Sequence, residues 1–226
     1  MYANSVNKRL PMSPDLARDI LMLHYVPGRA WDGLSILELR FVAFFLVLYF
    51  ACARYKEAAR IKMENIRVTN SGNVMILFYK AKNNQFGYQR AAYISPSGHK
   101  YLCPVLILRT YLEKLVAAGG SRFLFTSFDG EGNILPDSTF SYDNSKHFFK
   151  NALVRVGVEE AELGHYGLHS NHIGAATSAS NNLSELELQR SGRWQDPNSA
   201  KGYVCSSEKS LSKMSKVLSK QMFKKK

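Results

Sequence analysis

From Val42 to Ala53 the chain runs almost unbroken through apolar side chains, VAFFLVLYFACA. Ser35 and Glu38 ahead of it have the spacing of a capping box, which marks a helix start. A helix without a polar stripe cannot lie on a protein surface and must be covered on every side. A membrane is one such cover, but a span needs about 18 or more apolar residues. This run is shorter and is bracketed by Arg40 and Arg54. It is therefore read as the buried central helix around which the other elements pack. With 226 residues, 46% of them apolar, the chain can build that shell in one or two domains.

The surrounding elements follow in order. Residues 1–12 read as an N-terminal arm or the tail of a linker. Ser13-Pro14-Asp15 is a strong helix start, with Leu16, Ile20 and Leu23 on one face and Pro27-Gly28 as a stop. Asn73 to Lys80 and Tyr88 to Ile94 are β-branched and aromatic enough for strands, joined by a loop over 83–87. Ile66 to Val68 adds an edge strand before the turn Asn70-Ser71-Gly72. Cys103-Pro104 opens a helix to about Ala118, stopped by Gly119-Gly120. Residues 126–140 read as a surface loop. Phe148, Ala152 and Val156 line one more helix, closed by Gly157. The sum is an α+β fold, mainly helical, with a small antiparallel three-stranded sheet.

Chemistry concentrates between Gly167 and Tyr203. His169 and His172 are three apart, so one helix turn puts them on the same face. Small residues follow (Gly174, Ala175, Ala176, Ala179), which lets another backbone pack closely. Ser184 with Glu187 is a second capping box. Trp194 lies 22 residues after His172, and Tyr203 nine after Trp194. Asp196-Pro197 fits the start of a short helix carrying Tyr203. Far upstream, Arg54 and Glu57 pair at i,i+3, either as an ion pair on an amphipathic helix over ACARYKEAARIKMENI or as part of a site. Arg54 directly follows the buried helix, so its charge needs an anionic partner. His165 with His169 and His172 forms H-x3-H-x2-H, a zinc pattern that lacks the glutamate of H-E-x-x-H and any nearby cysteine.

This constellation resembles the active site of the tyrosine recombinase (phage-integrase) family. The family's motif is H-x-x-R, then His or Trp, then a nucleophilic Tyr, at similar spacings. Gly192-Arg193-Trp194 and Ala200-Lys201-Gly202-Tyr203-Val204 look most like recombinases of eukaryotic mobile elements. The resemblance covers residues ~13 to 205. It implies a catalytic domain over 13–208 that cuts and rejoins duplex DNA through a 3′-phosphotyrosyl link, with no metal or other cofactor. By that match Arg54 grips the scissile phosphate, Glu57 orients it, and Lys82 is the general acid, with Lys80 the competing lysine. His169 serves as base or donor, Trp194 as an N–H donor and wall, and Tyr203 as nucleophile. Lys80, Arg90, Arg193 and Lys201 are expected to contact DNA. One departure stands out: the family's second arginine falls on His172. The family's N-terminal DNA-clamping domain has no room in 1–12, so the chain reads as a catalytic fragment or a protein that lost the clamp.

Charge agrees with a polyanionic partner. The formal net charge is +12 and the pI about 9.6, which fits nucleic acid first and an anionic membrane surface second. Three scattered cysteines and a polar, basic start point to a nuclear or cytoplasmic protein rather than a secreted one. The segment 209–226 carries seven lysines and no acid, with Leu211, Met214, Leu218 and Met222 at helical spacing. In the resembling family a terminal helix docks on a neighbouring protomer, which implies self-association as a tetramer on DNA. Two other readings stay open: a DNA-binding descendant inactivated by His172, and a type IB topoisomerase-like enzyme that needs no partner protomer.

Overall fold

The structure, a computed structural model, describes residues 9–25, 31–78, 90–99, 101–180, 182–193 and 212–223. Lys80, Lys82, Trp194, Lys201 and Tyr203 lie outside the described residues, and for Arg90 the backbone alone is described. The elements that follow are α1 (Pro14–Met22), α2 (Ile36–Phe50), α3 (Tyr55–Ala58), α4 (Pro104–Ala117), α5 (Tyr142–Arg155), α6 (Glu160–Leu163), α7 (His169–Ser180), α8 (Glu185–Gly192) and α9 (Lys213–Met222).

Helix α2 is the core, as its composition requires. Ser35 Oγ accepts from the Glu38 N–H at 3.2 Å while the Glu38 carboxylate accepts from the Ser35 N–H at 3.0 Å, closing the capping box. Every residue from Leu39 to Ala53 is buried. Helices α4 and α7 cover it, and an aromatic cluster fills the gaps. Phe44 meets Phe125 and Phe140 edge-on at 5.0 and 5.3 Å, and Phe41 stacks on Phe148 at 5.7 Å. Each such side chain contributes roughly 1.5–3 kcal/mol by burial. Arg40 is buried too. It donates to the Thr126 carbonyl at 2.7 Å and lies over the Phe140 ring at 4.0 Å. Loss of solvent holds its pKa down at about 10.

The sheet has the expected order. Strands β1 (Ile66–Val68), β2 (Val74–Phe78) and β3 (Arg90–Ile94) pair antiparallel in that sequence, with Val74 opposite both Val68 and Ile94. Gly72, at φ 78°, supplies the left-handed turn before β2. A second hairpin, β4 (Ser127–Phe128) with β5 (Ile134–Leu135), lies inside the segment read as a loop. Its strands are too short for any periodicity to show.

Three regions depart from the sequence expectations. The amphipathic helix over 51–66 is not formed: α3 is four residues long, and Cys52, at φ 47°, turns the chain sharply between α2 and α3. The segment before α1 is pinned rather than loose. Leu10 N–H donates to the His165 carbonyl and Met12 N–H to the Ser170 carbonyl, each at 2.9 Å. Gly174 is what allows this, because a Cβ there would sit 2.0 Å from the Met12 carbonyl oxygen. Finally, the apolar stripe of α9 is covered by its own chain. Met214, Leu218 and Met222 are buried against α1, α7 and α8, and the Ser95 N–H donates to Ser215 Oγ at 2.7 Å. Gln221 donates to the Ser178 carbonyl at 2.8 Å, and Lys213 pairs with Glu187. Among the described residues, no helix is long and apolar enough to cross a membrane.

Candidate active site

The corner between α2 and α3 and the start of α7 meet on one face of the domain. Arg54 is the residue preceding α3, and its backbone N–H donates to Glu57 Oε2 at 2.7 Å. That bond fixes the carboxylate, and Glu57 Oε1 lies 3.7 Å from Arg54 Nη1. The Arg54 side chain is 52% exposed. The i,i+3 pairing read from the sequence therefore exists, but as the cap of a single turn and not within a long helix.

From the other side, α7 presents His169 and His172 with their rings stacked, 5.1 Å between centroids and 14° apart in plane. His169 is exposed, whereas His172 is 6% exposed. His172 Nδ1 lies 2.8 Å from the Cys52 carbonyl oxygen. A carbonyl only accepts, so the proton is on Nδ1 and Nε2 carries the lone pair. Cys52 Sγ in turn sits 3.5 Å from the His172 carbonyl, in position to donate to it. Burial removes water from the thiol and pushes its pKa up to about 12, so it is a structural thiol and not a nucleophile.

The electrostatics favour a neutral imidazole. Burial, then the nearby Arg54 and His169, pull His172 down to about 4, against the opposing effect of the Cys52 carbonyl and Glu57. His169 is also lowered, by burial first and Arg54 second. His172 is therefore uncharged at neutral pH, and His169 is shifted in the same direction.

Arg193, expected from the sequence among the DNA contacts, turns inward. Its side chain is 4% exposed. The guanidinium lies 3.6 Å from Glu57 Oε2, donates to the carbonyls of Ala51 and Cys52, and stacks over the Phe78 ring at 4.1 Å. A buried cation needs such partners, and Glu57 thus bridges two arginines. This role has no sequence signal beyond the adjacent Trp194, since the bridge depends on contacts over more than 130 residues of chain.

So Arg54, Glu57, His169 and His172 come together, with Arg193 behind them. The structure describes nothing of where Lys82, Trp194 or Tyr203 stand. Among the described residues, no group of three His, Cys, Asp or Glu side chains is arranged to hold a metal ion, and the H-x3-H-x2-H pattern does not gather into one.

No protein-family profile matches the sequence, and no curated protein matches it. Solved structures do match in fold. The XerH site-specific recombinase bound to its difH substrate superposes with a TM-score of 0.57 at 16% identity, over 85% of this chain and 49% of that one. The integrase of mycobacterium phage Brujita gives 0.58 at 13% identity, over 100% of this chain and 62% of that one. A Flpe–Holliday junction complex gives 0.51 at 14% identity, over 81% and 45%. The chain spans about half the length of the XerH recombinase. The fold is that of a tyrosine-recombinase catalytic domain.

Proposed function

We propose that this chain is the catalytic domain of a DNA strand-transfer enzyme, cutting and rejoining duplex DNA through a 3′-phosphotyrosyl intermediate on Tyr203. The observation that carries this reading is the convergence of Arg54 and Glu57 with His169 and His172 on one face, across more than a hundred residues of chain. It occurs in a fold shared with recombinase structures. Arg54 is the phosphate clamp, since its planar fork stays charged and donates two bonds to one anion. Tyr203 attacks in line, Lys82 or Lys80 protonates the leaving 5′ oxygen, and Trp194 walls the site. His169 and His172, both neutral, serve as proton acceptors or, once a phosphate raises their pKa, as donors. Retaining the bond energy in phosphotyrosine removes any need for a nucleotide. The mobile-element affinity, a nuclear or cytoplasmic setting, and assembly on DNA belong to the same proposal. Assembly through α9 requires that helix to exchange its berth on α1, α7 and α8 for a neighbour's.

A second reading rests on His172. A neutral imidazole supplies neither the charge nor the paired donors of an arginine, so the chain would bind DNA without cutting it.

Incubation with nicked duplexes that trap the cleaved strand separates the two. A covalent protein–DNA adduct that is lost in Tyr203→Phe supports the enzyme. Binding that weakens steeply with salt, by about 0.9 in log–log slope per phosphate contact, with no adduct supports the binding protein. Binding that is flat in salt would sink both.

A further inference from the structure

We propose that Arg193 is a positioning residue, bracing from inside the corner from which Arg54, Glu57 and His172 are presented to DNA. The inference rests on the strand-transfer reading for its purpose and on the geometry for its mechanism.

Among the described residues, Cys52 and Arg193 are the two non-glycine positions with positive φ, 47° and 58°. Left-handed backbone is costly for any residue with a Cβ, and such residues persist where the surroundings hold them for a purpose. Arg193 occupies the position after α8 where glycine is the usual choice. The two strained residues hold each other, because Arg193 Nη2 donates to the Cys52 carbonyl at 3.3 Å while Nη1 donates to Ala51. The same Cys52 carbonyl accepts from His172 Nδ1 at 2.8 Å. One oxygen therefore sets both the tautomer of His172 and the direction of the turn into Arg54.

Glu57 completes the brace. Its carboxylate lies 3.6 Å from Arg193 and 3.7 Å from Arg54. Without Arg193, Glu57 would neutralise Arg54 alone and draw it away from a phosphate. With Arg193 behind, part of that attraction is taken up inside the protein, and Arg54 keeps net charge at the surface. Arginine is suited to this because it reaches two carbonyls and a carboxylate at once from a planar fork. A lysine would keep the charge and lose the fork.

The test uses the full chain with Arg193→Met and Arg193→Lys. The charged and titratable groups facing His172 are Arg54, His169, Glu57, Cys52 and, across the shared carbonyl, Arg193. In the DNA-free protein, the His172 imidazole followed by NMR should titrate higher in Arg193→Met, as the Cys52 carbonyl and the Glu57 carboxylate, which both favour the charged ring, lose a competing partner. Arg193→Lys should stay near the parent. On trapping duplexes, Arg193→Met should bind DNA more weakly and form adduct about 10²-fold more slowly even at saturating DNA, with Arg193→Lys in between. A purely structural arginine would lower the melting temperature and leave the titration and the adduct rate of the folded fraction alone, which overturns the proposal. If Arg193→Met does not fold, Arg193→Gln takes its place in both arms. Should the parent itself form no adduct, the strand-transfer reading fails, and the titration arm alone then decides whether Arg193 positions His172.

Discussion

His172→Arg tests the site most directly. In the DNA-free protein His172 titrates near 4, so at pH 7 about one molecule in 10³ carries the charge. Its Nδ1 proton is committed to the Cys52 carbonyl at 2.8 Å, which leaves Nε2 as a lone pair. A lone pair offers nothing to a phosphoryl oxygen as it gains charge, where an arginine would attract it. Restoring one preorganised donor to a developing oxyanion is typically worth about 2.7–4 kcal/mol, or roughly 10²–10³ in rate. His172→Arg should therefore form covalent adduct on nicked trapping duplexes that much faster than the parent at pH 7. The free variant should also be less stable, because a third guanidinium joins Arg54 and Arg193 around the Glu57 carboxylate. The assay is the rate of denaturant-resistant protein–DNA complex on a gel, with Tyr203→Phe as the blank. A variant that binds duplex DNA as the parent does and still gives no adduct refutes the chemistry, and the DNA-binding reading stands.

Acidification should destabilise the protein through the same residue. The folded pKa of about 4 lies below the ordinary 6.5 of the unfolded chain, so the native state binds fewer protons. The contribution is full above pH 6.5 and is lost as pH falls toward 4, by about 3 kcal/mol in total. Urea midpoints against pH should show this slope, and His172→Gln should flatten it. For the parent protein, any adduct formation should rise on acidification well below pH 6 rather than at it, with bound phosphate moving the midpoint upward. An adduct rate that is flat from pH 7 to 5 would contradict that assignment. Deleting residues 212–226 removes the buried Met214, Leu218 and Met222, at roughly 1.5–3 kcal/mol each, and should lower the melting temperature sharply. Unchanged stability with lost self-association would instead mean that α9 docks on a neighbour. Gly174→Ala should fail to fold or lose several kcal/mol, since the new methyl meets the Met12 backbone at 2.0 Å, and circular dichroism melts read it out.

Local rules carried well wherever the signal was local. Ser13, Ser35 and Ser184 cap the helices their spacing announced, and the all-apolar run became the buried α2. The His169–His172 face and the Arg54–Glu57 pair likewise followed from helical spacing. What stayed hidden depends on contacts between distant segments. Neither Cys52 nor Arg193 is a glycine, so nothing in the sequence marks their left-handed backbone. An arginine beside a tryptophan reads as a surface cation because arginines are mostly exposed, and its carboxylate partner lies far away in sequence. The α9 stripe looked unpartnered because its cover comes from α1, α7 and α8, none of which is its sequence neighbour.

The charge balance of the site indicates which step the histidine affects. Arg54 and Arg193 against Glu57 leave one positive charge among the described groups when both histidines are neutral. A phosphodiester carries one negative charge, which these described groups already balance in the resting complex. In the transition state the phosphoryl oxygens gain charge, and that increment is what a second clamp arginine would meet. An interaction missing only there lowers the rate and leaves affinity alone. Histidine at 172 should thus be nearly silent in DNA binding and prominent in adduct formation. A large gain in affinity from His172→Arg, without a gain in rate, would place the missing charge in the ground state and contradict this balance.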